Sequence, residues 1–210
     1  MHFDVKQHLG AVERSVSSPD RDGRAARAVT LSRSYPTDIQ ELWDAITRPQ
    51  RIPRWFLPIS GDLELGGRYQ FEGNAGGVIT VCEPPSRLEL TWEFGEFVSW
   101  VEVRVSEDGA DRARLTLAHI QHTSDHWSQY GAGATGVGWE MGLLGLALHL
   151  ADPAAPKPDT AEFAASPDGR ALMVGSSEAW GEAAIAGGTD PDTARARAGR
   201  TTAFYTGSDA

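Results

Sequence analysis

The stretch Tyr35-Pro36-Thr37-Asp38-Ile39-Gln40-Glu41-Leu42-Trp43-Asp44-Ala45-Ile46-Thr47, then Arg51-Ile52-Pro53-Arg54-Trp55-Phe56, then Gly66-Gly67-Arg68-Tyr69-Gln70-Phe71-Glu72-Gly73, decides how this chain folds. Ile39, Leu42, Trp43 and Ile46 recur at the spacing of one helical face, which predicts an amphipathic helix. Thr37 with Gln40 three residues on has the form of a capping box, and Pro49 bounds the other end. Residues 49–56 read as a short second helix or turn, closed by Pro58. A helix and an aromatic turn ahead of a curved antiparallel sheet form an arrangement suited to enclosing an apolar cavity.

Downstream, strand patterns over 62–73, 77–83, 87–94, 98–106 and 112–123 are separated by Gly73-Asn74-Ala75-Gly76, Glu83-Pro84-Pro85-Ser86, Gly95-Glu96 and Glu107-Asp108-Gly109. Loops this short join only neighbouring antiparallel strands, so the sheet is a meander. Upstream, residues 1–10 have no clear period, while 11–17 and 28–35 alternate about a turn-rich 18–23 and predict a hairpin. Beyond the sheet, 124–136 reads as an irregular polar segment, and 137–150, rich in leucine and too long for a strand, predicts a buried helix. Pro153, Pro156 and Pro158 mark a linker over 151–160. Ser166-Pro167 and Asp190-Pro191 each place a capping residue before a proline at the first helical position, predicting helices over about 167–186 and 191–204. The class is α+β, with an N-terminal extension carrying a strand (1–24), a core domain (25–150), and a linker with a helical C-terminal extension (151–210).

Net charge is −10 and the isoelectric point about 5.0, which argues against nucleic acid, whose partners cluster Lys and Arg. Arg195, Arg197 and Arg200 do cluster, but at a spacing that predicts the solvated face of a helix. Cys82 is the single cysteine, so no intrachain disulfide forms and a reducing cytoplasm fits. The first twenty residues hold no apolar core of a leader, and the apolar run 143–150 is too short to span a bilayer, so no membrane association is expected.

Six motifs in order are recognisable: Ala45-Ile46-Thr47-Arg48-Pro49, Ile52-Pro53-Arg54-Trp55-Phe56, Asp62-Leu63-Glu64-Leu65-Gly66-Gly67-Arg68-Tyr69, Cys82-Glu83-Pro84-Pro85-Ser86-Arg87-Leu88, Leu90-Thr91-Trp92-Glu93 and Arg114-Leu115-Thr116-Leu117-Ala118-His119. Together, over about residues 25–150, they resemble the SRPBCC or START-like superfamily. Within it they look most like the branch named for homology to the activator of the heat-shock protein 90 ATPase. The resemblance implies a helix-grip (START/Bet v 1-like) fold, in which a curved sheet wraps a long helix. It leaves function open, because one fold hosts many activities.

Strand alternation places Tyr69 and Phe71, Leu88, Leu90, Trp92 and Phe94, the valines at 101, 103 and 105, and Leu115, Leu117 and His119 on the inner face, with Trp100 outward. These side chains either fill the core or line a pocket. Gly138, Gly142 and Gly145 stand on one stripe of the long helix and either open space beneath the sheet or admit a close neighbour such as a tail helix through Ala179, Ala183 and Ala186. The candidate ligand wall is Trp55, Phe56, Tyr69, Phe71, Trp92 and His119, with Trp139, Gly138 and Gly142 from the helix. His119 is the candidate polar group, able to hydrogen-bond a ligand or to serve as a core histidine. Glu93 and Glu102 fall on the outer parity, leaving no acid beside it and no catalytic pair.

His119, His122, Asp125 and His126 could share a metal only across a bulge, so no metal is expected. Gly131-Ala132-Gly133-Ala134-Thr135-Gly136 matches a dinucleotide-loop glycine pattern without the parallel strands that such a site needs, so no cofactor is expected either. Cys82, on an apolar strand, reads as packing. The leading expectation is non-catalytic binding of a small hydrophobic or amphipathic molecule between sheet and helix. The resemblance also implies a polyketide cyclase or aromatase using the same cavity, and, from the branch's name, a regulatory module of a chaperone ATPase. A homodimer and an unidentified protein partner stay open.

Overall fold

The computed structural model describes residues 4–208; the first three residues, part of the stretch without a clear period, and the last two lie outside them. Helix α1 (Val5–Gly10) forms there nonetheless, capped by the Asp4 carboxylate, which accepts from the Gln7 amide at 3.0 Å. Strands β1 (Val12–Ser17) and β3 (Arg24–Tyr35) follow as the alternation predicts, β3 starting four residues earlier, and a short β2 (Asp20–Arg21) forms within the stretch read as turn. Helix α2 (Ile39–Thr47) starts from Asp38 rather than Thr37, its carboxylate accepting from the Glu41 amide at 2.8 Å. An ionised acceptor at a helix N-terminus also meets the positive end of the helix dipole, an advantage a hydroxyl lacks. A 3-10 turn (Ile52–Arg54) leads into β4 (Ile59–Gly61), β5 (Arg68–Phe71), β6 (Gly76–Glu83), β7 (Arg87–Phe94), β8 (Phe97–Glu107) and β9 (Ala113–His122).

Of the strand predicted over 62–73 only Arg68–Phe71 is strand, and it pairs with β4, which lies ahead of the predicted range. Gly61, at φ 104°, and Gly66, at φ 81°, turn the chain back so that Ile59 pairs with Phe71 and Gly61 with Tyr69. A Cβ on Gly61 would stand 2.1 Å from the Arg68 carbonyl, so glycine is required there. Within one antiparallel sheet the order is β1-β3-β9-β8-β7-β6-β5-β4, with β2 beside β3. The chain closes with α3 (Asp125–Tyr130), α4 (Gly133–Ala151), α5 (Thr160–Ala165), α6 (Pro167–Ala186) and α7 (Pro191–Thr206). The architecture is the helix-grip fold with an added N-terminal strand and helical tail. Ser166 and Asp190 cap α6 and α7 as read from the sequence, accepting from Gly169 at 3.1 Å and Thr193 at 2.9 Å. The segment 124–136, expected to be irregular, instead holds α3 and the start of α4. Gly131, at φ 67°, and Ala132 form the turn between the two helices.

The chain forms two compact units: Met1–Leu31, His122–Met141 and Pro158–Ala210 in one, Ser32–Gln121 and Gly142–Lys157 in the other. In the first, buried Glu140 receives a two-point ion pair from Arg14, at 2.6 and 2.7 Å, while Arg14 also donates to the carbonyls of Val12 and Leu9. That fork geometry ties β1 to α4. The carbonyls at the end of α3 are satisfied by α7: Arg197 donates to Ser128 at 3.0 Å, Arg200 to Gln129 at 2.6 Å and Thr201 to Tyr130 at 2.9 Å. Two of the three arginines expected on a solvated face, Arg197 and Arg200, therefore cap a neighbouring helix, while Arg195 stays exposed beside Asp192.

In the second unit, the segment following α2 is clamped to the end of α4. Arg51 donates to His149 Nε2 at 3.0 Å and pairs with Glu41 at 2.6 Å, Arg54 donates to the Pro153 carbonyl at 2.5 Å, and Lys157 donates to the Phe56 carbonyl. The glycine stripe is divided by function. Gly145 lies beneath the Trp55 carbonyl, 2.4 Å from where a Cβ would stand, and Gly142 beneath the Phe56 ring, at 3.3 Å. Gly138 belongs to the first unit and faces the Tyr205 hydroxyl at 3.2 Å. The alanines expected to approach from the tail are replaced in that role by Trp180 against Gly136, Thr201 against Gly133 and Tyr205 against Gly138.

These spacings set different costs. Gly145→Ala must displace backbone, so denaturant melts are expected to show a loss of about 1–3 kcal/mol even though alanine is the better helix former by about 1 kcal/mol. Gly138→Ala meets one side-chain atom, the Tyr205 hydroxyl, at 3.2 Å and no backbone, and is expected to stay within about 1 kcal/mol of the parent. Equal stability of the two variants would refute the close approach at Gly145.

Candidate functional site

The second unit carries a run of ring contacts along the inner face of its sheet. Trp55 and Phe56 have centroids 5.4 Å apart, Phe56 meets Phe71 edge-on at 5.0 Å, Phe71 meets Tyr69 at 5.4 Å and Trp92 at 5.6 Å, and Trp92 reaches His119 at 6.0 Å. Six of the nine residues singled out from the sequence are thus joined in one chain of rings, and Gly142 lies under its Phe56. Trp139, half-buried, and Gly138, exposed, belong to the other unit.

Each ring is placed by local structure. The Trp55 indole N–H donates to the Ala45 carbonyl at the end of α2, at 2.9 Å. Tyr69 donates to the Thr91 carbonyl at 2.7 Å; burial, reinforced by Glu93 and opposed by Arg68, raises its pKa, so the phenol stays neutral. Ser99 spends its single proton on the Trp92 carbonyl at 3.0 Å and so accepts from the Nε2–H of His119 at 2.9 Å, which assigns the tautomer.

Ser99 was missed in the sequence, although it shares parity with Val101 and Val103 and could have been found as the polar member of that row. Cys82 was placed correctly as packing but for an incomplete reason. A bulge between Ile79 and Val81 shifts the register, so that Ile79 opposes Leu90 and Cys82 opposes Leu88, returning the thiol to the inner face. No residue pattern announces that bulge.

The inner face is not uniformly covered. Val101, Val103, Val105, Leu115 and Leu117 are buried, whereas Leu88, Leu90 and Trp92 on β7, together with Phe56 and Leu57, remain half-buried around the closed cluster of Ile52, Tyr69, Phe71 and Ile79. Phe94, expected inward, is 59 % exposed because it stands at the hairpin tip, opposite Phe97. On the other face Glu93 binds Arg68 at 2.6 Å and Glu89 binds Arg87 at 2.6 Å, keeping the charges of β7 away from this wall. Hydrogen bonds from Arg68 and Thr91 hold the Glu93 carboxyl below its usual pKa. Among the described residues no group of three or more His, Cys, Asp or Glu is placed to hold a metal ion, and no helix is long and apolar enough to cross a membrane.

Burial pushes the His119 pKa down to about 4. The unfolded chain takes up this proton near pH 6.5 and the folded chain only near 4, so its contribution to stability is complete above pH 6.5 and is lost as pH falls through that window. Relative to a His119→Gln variant, the parent is expected to lose on the order of 3 kcal/mol between those limits, measured by urea melts at successive pH values. Parallel curves for the two proteins would place His119 in a solvated environment.

The crystal structure of CalU16 from Micromonospora echinospora is 32 % identical, covers 83 % of this chain and 99 % of that one, and superposes with a TM-score of 0.67. The solution structure of CalU16 gives 35 % identity, 84 % and 97 % coverage and a TM-score of 0.71. DynU16, from the dynemicin biosynthetic locus, shares the fold at 24 % identity over 63 % of this chain and 49 % of its own, with a TM-score of 0.52. No curated protein sequence matches the chain. The family model for activator of Hsp90 ATPase homolog 1-like proteins matches residues 36–151, which include every ring of the wall, and the chain belongs to that family.

Proposed function

We propose that this chain binds a small hydrophobic or amphipathic molecule against the inner face of its sheet, without transforming it. The observation that carries the reading is the uneven cover of one apolar face: sealed along β9 and along β8 from Val101 to Val105, half-open along β7 and beside Phe56 and Leu57. Apolar side chains left half-exposed on a concave surface stay in unfavourable contact with water, and each 100 Å² that a ligand covers returns about 2–3 kcal/mol. The aromatic wall offers large rigid contact area at low entropic cost, which suits a ligand more than a solid core does. Trp55, Phe56, Tyr69, Phe71, Trp92 and His119 are the contacts we assign, with Gly142 supplying the space under Phe56. Trp139 and Gly138 are set aside, because they belong to the other unit.

The chemistry of the wall favours binding over turnover. His119 is neutral at physiological pH and engaged with the Ser99 hydroxyl, and Glu93 points to the other face, bound to Arg68. A general base needs a pKa near the working pH, and burial has moved His119 away from it. The absence of charge on the named wall residues also fits a cytoplasmic apolar cargo better than a charged metabolite.

Two measurements test the proposal. Native mass spectrometry of the purified protein is expected to show a small molecule retained in the folded state and lost on denaturation. In titrations with phenylnaphthylamine, an uncharged probe that fluoresces in apolar surroundings, Trp92→Ala is expected to weaken binding about tenfold or more, a loss of about 1.4 kcal/mol per decade. No retained molecule and no probe binding would sink the reading.

A further inference from the structure

Resting on the proposed binding reading, the register of β7 and β8 says more about the molecule bound. On the inner face the opposed pairs run in rows: Leu90 with Val101, Trp92 with Ser99, then Phe94 with Phe97 at the hairpin tip. Exposure climbs along the rows, from Val101 at 2 % through half-buried Trp92 and Ser99 to Phe94 at 59 % and Phe97 at 75 %. Alternate residues share a face, so the two phenylalanines continue the surface that bears Trp92. From the first row to the third is about 14 Å, at ~3.4 Å per residue. Two phenylalanines at a solvent-facing tip are costly unless something apolar covers them.

The charge of the wall adds a second constraint. His119 and Tyr69 are neutral for the reasons of burial given above, and the carboxylates of Glu89 and Glu93 sit on the opposite face with Arg87 and Arg68. An ionised group brought against the inner face beside Trp92 would lose its water there; the flanking charges are Lys157, already donating to the Phe56 carbonyl, and the solvent-exposed Glu96 of the turn. We propose that the ligand is an uncharged, elongated apolar molecule that lies along the aromatic run past Trp92 and is covered at its outer end by Phe94 and Phe97. The hairpin tip is then part of the binding site and not merely a turn.

The test uses three fluorescent probes on the full chain. Phenylnaphthylamine and anilinonaphthalene sulfonate share the same rings and differ by one sulfonate; diphenylhexatriene is uncharged and long enough to reach the tip. The uncharged parent is expected to bind about tenfold or more tightly than its sulfonate. The double variant Phe94→Ser, Phe97→Ser is expected to weaken diphenylhexatriene about tenfold while leaving phenylnaphthylamine within about twofold. Because both side chains are exposed, the variant's circular dichroism and melting temperature are expected to match the parent's. Equal or tighter binding of the sulfonate overturns the neutral-ligand assignment. Equal loss of both uncharged probes, or loss of neither, overturns the role of the tip. If phenylnaphthylamine still binds and still responds to Trp92→Ala in either of those cases, the binding reading survives and only this inference falls; if no probe binds, both fall.

Discussion

The backbone of Trp55 rests on Gly145 of α4 with no side chain between them, and the geometry of the second unit depends on that contact. Any Cβ there would push the 3-10 turn away from the helix. Because the approach is close, Arg51 can reach His149, Arg54 the Pro153 carbonyl and Lys157 the Phe56 carbonyl. Burial lowers the His149 pKa first, with Arg51 and Arg54 adding to the effect and Glu41 opposing it, which keeps the imidazole neutral and able to accept from Arg51. Trp55 is pinned from the other side by the Ala45 carbonyl. Two rings of the wall are thereby held by backbone and polar anchors as well as by their contacts with each other and with Phe71.

The remaining rings are positioned by the sheet, which separates charge from apolar surface by strand alternation alone. Along β7 the acids bind arginines on one face while Leu88, Leu90 and Trp92 occupy the other. His119 is the titratable imidazole on the inner side, beside Ser99, and its environment suppresses its charge instead of exploiting it. A neutral imidazole held by a serine hydroxyl adds direction to an apolar wall without introducing a charge that would need solvation.

The first unit follows a different logic, in which tail side chains complete what other elements leave unsatisfied. Arg197, Arg200 and Thr201 take three successive carbonyls at the end of α3, and Tyr205 donates to the Ala134 carbonyl in the first turn of α4. Burial raises the Tyr205 pKa to about 12, so this donor stays protonated. The family match ends at residue 151, whereas the likeness to CalU16 extends over more than four-fifths of the chain. The tail is thus not an addition confined to this sequence.

Much of the architecture was legible in residue patterns. Period-2 alternation and short turns specify the antiparallel meander, and serine or aspartate before proline locates the tail helices within a few residues, because these signals act over a handful of neighbours. Four of the six rings, Tyr69, Phe71, Trp92 and His119, could be listed in advance for the same reason, since strand parity settles which face each takes, while Trp55 and Phe56 were legible only as an aromatic turn ahead of the sheet. What the sequence could not contain was distance between segments remote in the chain. The pairing of Arg68–Phe71 with the separate strand Ile59–Gly61, the bulge that returns Cys82 to the inner face and the division of one glycine stripe among Tyr205, Phe56 and the Trp55 carbonyl all depend on partners 8 to more than 60 residues away. Tertiary packing alone selects those partners, since local propensity carries no information about which surface a glycine will meet.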